Sequence, residues 1–395
     1  MLTQTQLSAL HRSHRGERML SAYVDGSAPD PAGQRTWRLH LDRAIKDLRS
    51  WLDDSPRAER DDFEHCVRLL EDQLAAFDPT VKAPGWISFI TRNGVLDAQP
   101  VPVPVPTRLV WSNGPCIAPS LRVLGESQPA IIAVVDARKA ELYRYQFGKI
   151  DHVDSVRAHH VMEPPSHMGD SSRQGFHSGT RGSTGSDASQ QILLEGRDRM
   201  LADAAERVTA IAGPGGWMLV GGIPVVAAHL EGLISPSAPG RVARLDHLDV
   251  HSSEAVIADA AKAGSATLRE ARNIERVKRV IDRAAAGGLG TVGAAATRSA
   301  LAAESVHELF VTRRYLEDHA PDAENFVGIA FDQAAVVEEV DGRAAELLDA
   351  QGGIGAELRF HPPQLDQPTE AQLAEGESSA ERPERRRRPR TKSAL

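Results

Sequence analysis

Apolar positions along this chain change period repeatedly, and each change marks an element. Met19 to Val24 is a short alternating run ending at Asp25-Gly26, the signature of a strand and its turn. Trp37, Leu41, Ile45, Leu48 and Leu52 then recur three or four residues apart, as do Phe63, Val67, Leu70 and Leu74. That spacing predicts two amphipathic helices, the second stopped by Pro79. Trp86 to Ile90 reads as another strand, turning at Asn93-Gly94. Pro100, Pro102, Pro104 and Pro106 alternate with valine, which rules out a central strand and favours an extended edge segment.

A second pattern begins near Pro129. Ile131 to Val135 is a continuous apolar run of buried-strand type, and Ala140 to Phe147 alternates. Gly148-Lys149 turns the chain into a third strand over Ile150 to Val156. A helix is expected from about Ser189 to Ala212, with Ile192, Met200, Ala204, Val208 and Ile211 facing inward and Gly213 to Gly216 breaking it. Trp217 to Val220 predicts a strand, Pro224 suits the first turn of the next helix, and Val242 to Val250 predicts one more strand. Strands alternating with helices imply an α/β fold, mixed sheets with helical cover.

From Ser253 a third pattern starts. Val256 to Ala286 reads as one helix ending at Gly287-Gly288, where a C-cap glycine belongs. A strand over Val306 to Val311, a helix over about Ala323 to Ala335, a short strand over Ala345 to Leu348 and a final turn follow. The predicted domains are 1–127, 128–252 and 253–362, the last a small α/β sandwich. Residues 363–395 form a tail rich in Gln, Glu, Ser and Pro that ends in Arg385 to Arg388 and Arg390; it has too few apolar residues to fold alone and is expected to be disordered. No internal repeat is visible.

His159 to Gln190 interrupts the second pattern. This insert holds five glycines, seven serines, four histidines and two arginines, so it offers almost nothing to a core. An insert this long inside a domain is a working loop or a disordered one. Its glycines let the backbone approach a surface closely, Arg173 and Arg181 can fork onto phosphate, and Phe176 and His177 can stack on bases. Gln174 can read a base edge or orient a water, and His167 completes the set of candidate RNA-binding residues. The bland alternative is a linker without a partner.

Composition narrows the remaining classes. With 395 residues, 41% hydrophobic and 25% charged, the chain reads as a globular protein of two or three domains. No apolar run is long enough to span a bilayer and the first residues lack a secretory pattern, so a cytoplasmic protein is expected. A net charge of −8 argues against a whole-surface polyanion binder but leaves local Arg and His clusters free to hold RNA. The arginine-rich tail could touch phosphates in a salt-sensitive, sequence-blind way, or be dispensable. Only Cys66 and Cys116 are present, far apart in sequence, which excludes a four-ligand zinc site built on cysteine and argues against a disulfide framework. His159, His160, His167 and His177 are irregularly spaced, so surface histidines are expected rather than a metal site. Gly288, Gly290 and Gly293 match a dinucleotide fingerprint in spacing, yet a helix rather than a strand precedes them, and a helix–helix turn is expected. Gly221-Gly222 follows a strand and precedes a helix without the rest of a P-loop, which points to tight strand–helix packing. Neither a cofactor site nor a catalytic constellation is recognisable.

The strand Ile131 to Asp136 with Ala140 to Tyr143, the insert, the charged helix around Glu195 to Met200, and the pieces Val306 to Val311 and Gly353 to Phe360 together carry a resemblance. Over roughly residues 15 to 362 the layout resembles archaeo-eukaryotic class-one release factors and Pelota, especially bacterial relatives that include Balon-like ribosome hibernation factors. The resemblance implies a three-domain release-factor-like architecture: a first domain facing the decoding centre, a middle domain sending its loop to the peptidyl-transferase centre, and a C-terminal domain meeting a translational GTPase such as elongation factor Tu. Release factors carry Gly-Gly-Gln at the loop tip; here the insert has Ser172 to Gly175 and Ser189 to Gln191, and no Gly-Gly-Gln. The first domain also has no Asn-Ile-Lys-Ser, and Asn273-Ile274 lies elsewhere and is followed by Glu275. The expectation is therefore a non-catalytic hibernation factor of the stress-response kind that binds the 70S ribosome in the A site and regulates translation. The alternative is a peptidyl-tRNA or tRNA hydrolase acting through Gln174, and a third is a stress-response interaction protein with no ribosomal role.

Overall fold

In the computed structural model, described over residues 3–27, 36–75, 77, 84–126, 128–158 and 185–362, three separate sheets carry helices on their faces. The first unit comprises α1 (Gln4–Ser13), β1 (Arg18–Asp25), α2 (Thr36–Trp51), α3 (Arg57–Leu74), β2 (Gly85–Thr91), β3 (Gly94–Val101), β4 (Arg108–Asn113) and a short α4 (Leu121–Gly125). Its strands form an antiparallel sheet of order β3-β2-β1-β4. Strand alternation sends Leu20, Ala22, Val24, Trp86 and Ile90 toward Leu41, Ile45, Phe63, Val67 and Leu70 of the two helices whose period was legible. The other face, with Met19, Tyr23, Ile87 and Phe89, packs with Val101, Val103 and Val105 and with Leu7 of α1. Of the proline–valine stretch only Pro100 and Val101 lie in edge strand β3; the chain bends at Pro102 and Val103, and the valines between the prolines are buried.

The second unit comprises β5 (Ala130–Val135), β6 (Lys139–Gln146), β7 (Lys149–Arg157), α5 (Gly185–Ala212), β8 (Trp217–Gly222), α6 (Pro224–Ile234) and β9 (Val242–Arg244). Its sheet has the order β7-β6-β5-β8-β9, with antiparallel pairs on one side of β5 and parallel pairs on the other. β5 is buried along its whole length because both faces are covered, as its unbroken apolar run requires. Ile131, Ala133 and Val135 meet α5 and α6, while Ala130, Ile132 and Val134 lie with Leu219, Leu245 and Leu248. The predicted strand over Val242 to Val250 shrinks to three residues. Beyond Arg244 the chain leaves this edge strand, His247 takes a positive φ of 64°, and Leu245 and Leu248 join the core beneath the sheet.

The third unit comprises α7 (Glu254–Ala285), β10 (Gly290–Val292), α8 (Ala294–Ala302), β11 (Val306–Thr312), α9 (Arg313–Asp318), α10 (Ala320–Asp332), β12 (Val336–Val340), α11 (Gly342–Asp349) and β13 (Ile354–Leu358). Its sheet has the order β10-β13-β11-β12, parallel only between β11 and β12. Two expectations are corrected here. Ala345 to Leu348 is helical, because Ala344 and Leu348, four residues apart, bury on one face of α11. The turn through Gly288, Gly290 and Gly293 does not join two helices directly: strand β10 intervenes, and Gly290 sits so close to α7 that a Cβ would lie 2.9 Å from the Ala284 nitrogen.

α7 belongs to two cores. Its first half places Ile257, Ala261 and Leu268 against the second sheet, and its second half places Val277 and Val280 against Phe310 of the third. Gly264 permits the first contact, since a Cβ there would stand 3.0 Å from a Leu219 methyl. Between the halves, Arg272 donates to Glu338 at 2.7 Å, and Arg276 donates to Glu338 at 2.8 Å and also to Glu308. Burial pushes the Glu308 carboxyl up to about 7 against the opposing pull of Arg276.

Candidate functional site

The insert leaves and re-enters the second unit at one end of its sheet. β5, β7 and β8 run in the same direction, so Val135, Arg157 and Gly222 all finish at that end. In open α/β sheets the carboxyl ends of parallel strands are where ligand-binding loops collect. Asp136 ends β5 and accepts hydrogen bonds from the backbone N–H of Arg138 at 2.6 Å and of Lys139 at 2.8 Å, which turns the chain into β6. Ala158, the last described residue before the insert, donates its N–H to the Arg138 carbonyl at 2.8 Å. On the neighbouring strand Gly222 has φ +118°, and a Cβ there would collide with the Val135 carbonyl. This close approach lets Ile223 N–H bond Val135 O at 2.9 Å and starts α6 at Pro224, so Gly221-Gly222 serves strand–helix packing as expected.

Charged pairs fix the roots of the insert. Arg207 of α5 donates to Asp154 of β7 at 2.5 Å and holds that carboxyl below its usual range. On β6, Glu141 accepts from Lys139 at 3.2 Å and shares a hydrogen bond with His152 at 2.9 Å. Burial would raise the Glu141 carboxyl, but these two partners outweigh it and the net shift is downward. His152 also stands edge-on to Tyr143 at 5.2 Å between ring centroids. These contacts link α5, β6 and β7 at their exposed faces without assembling a nucleophile and base around a shared reacting point. Among the described residues no group of three or more His, Cys, Asp or Glu could hold a metal ion. Nor is any described helix long and apolar enough to cross a membrane.

The six residues singled out in the insert, His167, Arg173, Gln174, Phe176, His177 and Arg181, lie outside the described residues, as do His159 and His160. α5 begins at Gly185, four residues earlier than its periodicity suggested. Met200, Ala204 and Val208 face the core, with Ile211 packed against it, but Ile192 does not: it is 49% exposed. A helix of 28 residues is roughly 42 Å long against about 20 Å for β5, so the first turns of α5 overhang the sheet. Leu193, Leu194, Ile223 and Val225 are exposed at this same end. The sequence held a clue to the overhang, since three consecutive apolar residues, Ile192 to Leu194, cannot all point to one side of a helix.

Residues 115–265, which span the whole second sheet, the insert and the first part of α7, match the model of bacterial archaeo-eukaryotic release factor family 10. No curated protein matches the chain. Among solved structures, Pelota of Archaeoglobus fulgidus is 12% identical, with 70% of this chain and 80% of that one covered and a TM-score of 0.36. An archaeal Pelota from a ribosome-bound assembly with ABCE1 is 15% identical, with 91% and 95% covered and a TM-score of 0.40. Dom34 of S. cerevisiae, a translation termination-like factor, is 11% identical, with 71% and 83% covered and a TM-score of 0.43. The family match lies on the unit that carries the insert, and it marks that unit as release-factor-like.

Proposed function

We propose that this protein binds the 70S ribosome, occupies the A site without releasing the peptide, and so holds the ribosome idle as a hibernation factor. The observation that carries this reading is the family match over the insert-bearing unit combined with an insert that lacks Gly-Gly-Gln. Peptide release by water needs a group that positions the water on the ester, and a loop without that group fills the site inertly. Arg173 and Arg181 supply phosphate forks, Phe176 and His177 supply stacking faces, and His167 and Gln174 supply hydrogen bonds to base edges. In this reading the carboxyl ends of β5, β7 and β8 form the platform that presents the insert. In this reading the first unit faces the decoding centre, and the third meets a translational GTPase of the elongation factor Tu kind.

Co-sedimentation with 70S ribosomes through a sucrose gradient tests the proposal. The protein travels with the 70S peak in low salt and dissociates as salt rises, because its contacts are chiefly to phosphate. A protein that stays at the top of the gradient at every salt concentration overturns it.

A further inference from the structure

The first and third units share one hydrophobic core. Leu7, Met19, Tyr23, Phe89, Ile117 and Leu121 belong to the same buried cluster as Val306, Leu309, Phe326, Val327, Phe331 and Ile354. The clusters on either face of the second sheet contain no residue of the first unit and, of the third, only Ile257, Ala261 and Leu268 of α7. Polar contacts follow the same seam. Ser8 of α1 donates to the Phe331 carbonyl at 3.0 Å, Gln4 to the Ala335 carbonyl at 2.8 Å, and Arg15 to Asp332 at 3.0 Å. His11 shares a 3.1 Å hydrogen bond with Asp332 and crosses α10 at Gly328, where a Cβ would stand 2.7 Å from its ring.

Glu324 closes the other end of the seam. One carboxylate oxygen accepts the Ile117 N–H at 2.6 Å, and the other accepts the Ala118 N–H at 3.1 Å and the Cys116 thiol at 3.2 Å. Tyr23 donates to the Cys116 carbonyl at 2.5 Å and ties that segment back to the first sheet. A carboxylate satisfied by three donors of another unit cannot leave without stranding all of them at once. The side chain is partly open to a cavity along the seam, while its carboxyl group is enclosed enough for burial to raise it.

We propose that the described residues within 3–124 and 286–360 form one body, closed by the Glu324 carboxylate and the α1–α10 crossing, and that the second unit is an insertion in that body. The insertion is joined at two neighbouring crossings, residues 125–129 and α7. Arg269 pairs with Glu126 at 2.8 Å, and Arg272 donates to Gln128 at 2.9 Å with its guanidinium 5.0 Å from the Trp217 ring centre. On this geometry the first and third units move as one piece. This inference concerns the free protein and stands apart from the ribosomal reading.

Cys116 reports the seam. In full-length Cys66→Ala protein it is the sole thiol, and its labelling by Ellman's reagent is expected to be strongly suppressed relative to unfolded protein. Gly328→Leu, which wedges α1 from α10 at a residue that makes no bond to Cys116, should speed that labelling roughly ten- to hundredfold if the seam opens as a unit. Labelling at the unfolded rate in the Cys66→Ala protein, or an unchanged rate in a folded Gly328→Leu variant, overturns the proposal. Should that variant fail to fold, hydrogen exchange on the unmodified chain decides. Amides of α1, of residues 116–118 and of α10 are expected to exchange in one cooperative opening, and independent openings of these segments contradict it.

Discussion

Two charged regions of this molecule look alike on paper and differ in what they do. Midway along α7, Arg276 spans Glu308 and Glu338, whose side chains are 4% and 11% exposed. At the root of the insert, Arg207 spans α5 and β7 to Asp154, with the two partners 48% and 36% exposed. The first network ties a helix shared by two units to the third sheet, where an unpaired charge is costly. The second is washed by solvent, where an ion pair adds little. The difference teaches that stiffness is concentrated where α7 is anchored to the third sheet, while the end that presents the insert is held mainly by strand pairing and by the close backbone approach at Gly222.

The sharpest way to break this comparison is to remove the partly buried cation. Arg276→Ala strips Glu308 of its cation, leaves Glu338 only Arg272, and should destabilise the protein by about 3 kcal/mol in denaturant unfolding at pH 8. A loss below about 1 kcal/mol would show that water relieves the site and that the network is no stiffer than a surface pair.

Glu308 sharpens the same contrast through pH. Its folded-state carboxyl titrates near 7, above its ordinary 4.5. The unfolded chain therefore gives up this proton at lower pH than the folded chain does, and stability falls as pH rises from about 4.5 and levels off above about 7. The full span corresponds to about 3 kcal/mol, and Glu308→Gln should flatten that part of the stability–pH profile. An unchanged profile in the variant would mean that Arg276 keeps the carboxylate ionised throughout.

At the exposed root the same experiment should be nearly silent. Arg207→Ala is expected to leave the unfolding midpoint close to that of the parent protein and to show no salt dependence beyond the parent's. A marked drop in the midpoint would place the root of the insert among the stiff parts of the fold. On the insert itself, Arg173→Ala with Arg181→Ala should leave unfolding untouched. If both arginines neutralise phosphates, the dependence of log affinity for ribosomes on log salt should flatten by about 2.

How much of this was legible in the sequence depends on where the determining contacts lie. Ile131 to Val135, the helices built on Leu41 and Phe63, and the long helix from Glu254 announced themselves because their periods are set by burial along a whole element. The strands Gly290–Val292 and Ile354–Leu358 did not, since each is short, glycine-bearing and defined by the partner it pairs with. Ala345 to Leu348 misled for the same reason: four apolar residues fit either period until Asp341 and Gly342 start a helix before them. The exposed end of α5 was misread at Ile192 because periodicity does not reveal where the covering sheet stops. The shared core of the first and third units left no local signature at all, as it joins residues some 200 to 320 positions apart, such as Cys116 with Glu324 and Ser8 with Phe331. For the insert the sequence supplied composition and the absent Gly-Gly-Gln, and the structure supplied the platform from which it springs.

A density map of the protein bound to the 70S ribosome tests the central claim most directly, together with an assay for the peptidyl-tRNA in that complex. The account predicts residues 167–181 against RNA at the peptidyl-transferase centre with the peptidyl ester intact. An insert pointing into solvent would contradict it, as would release of the peptide that disappears in Gln174→Ala.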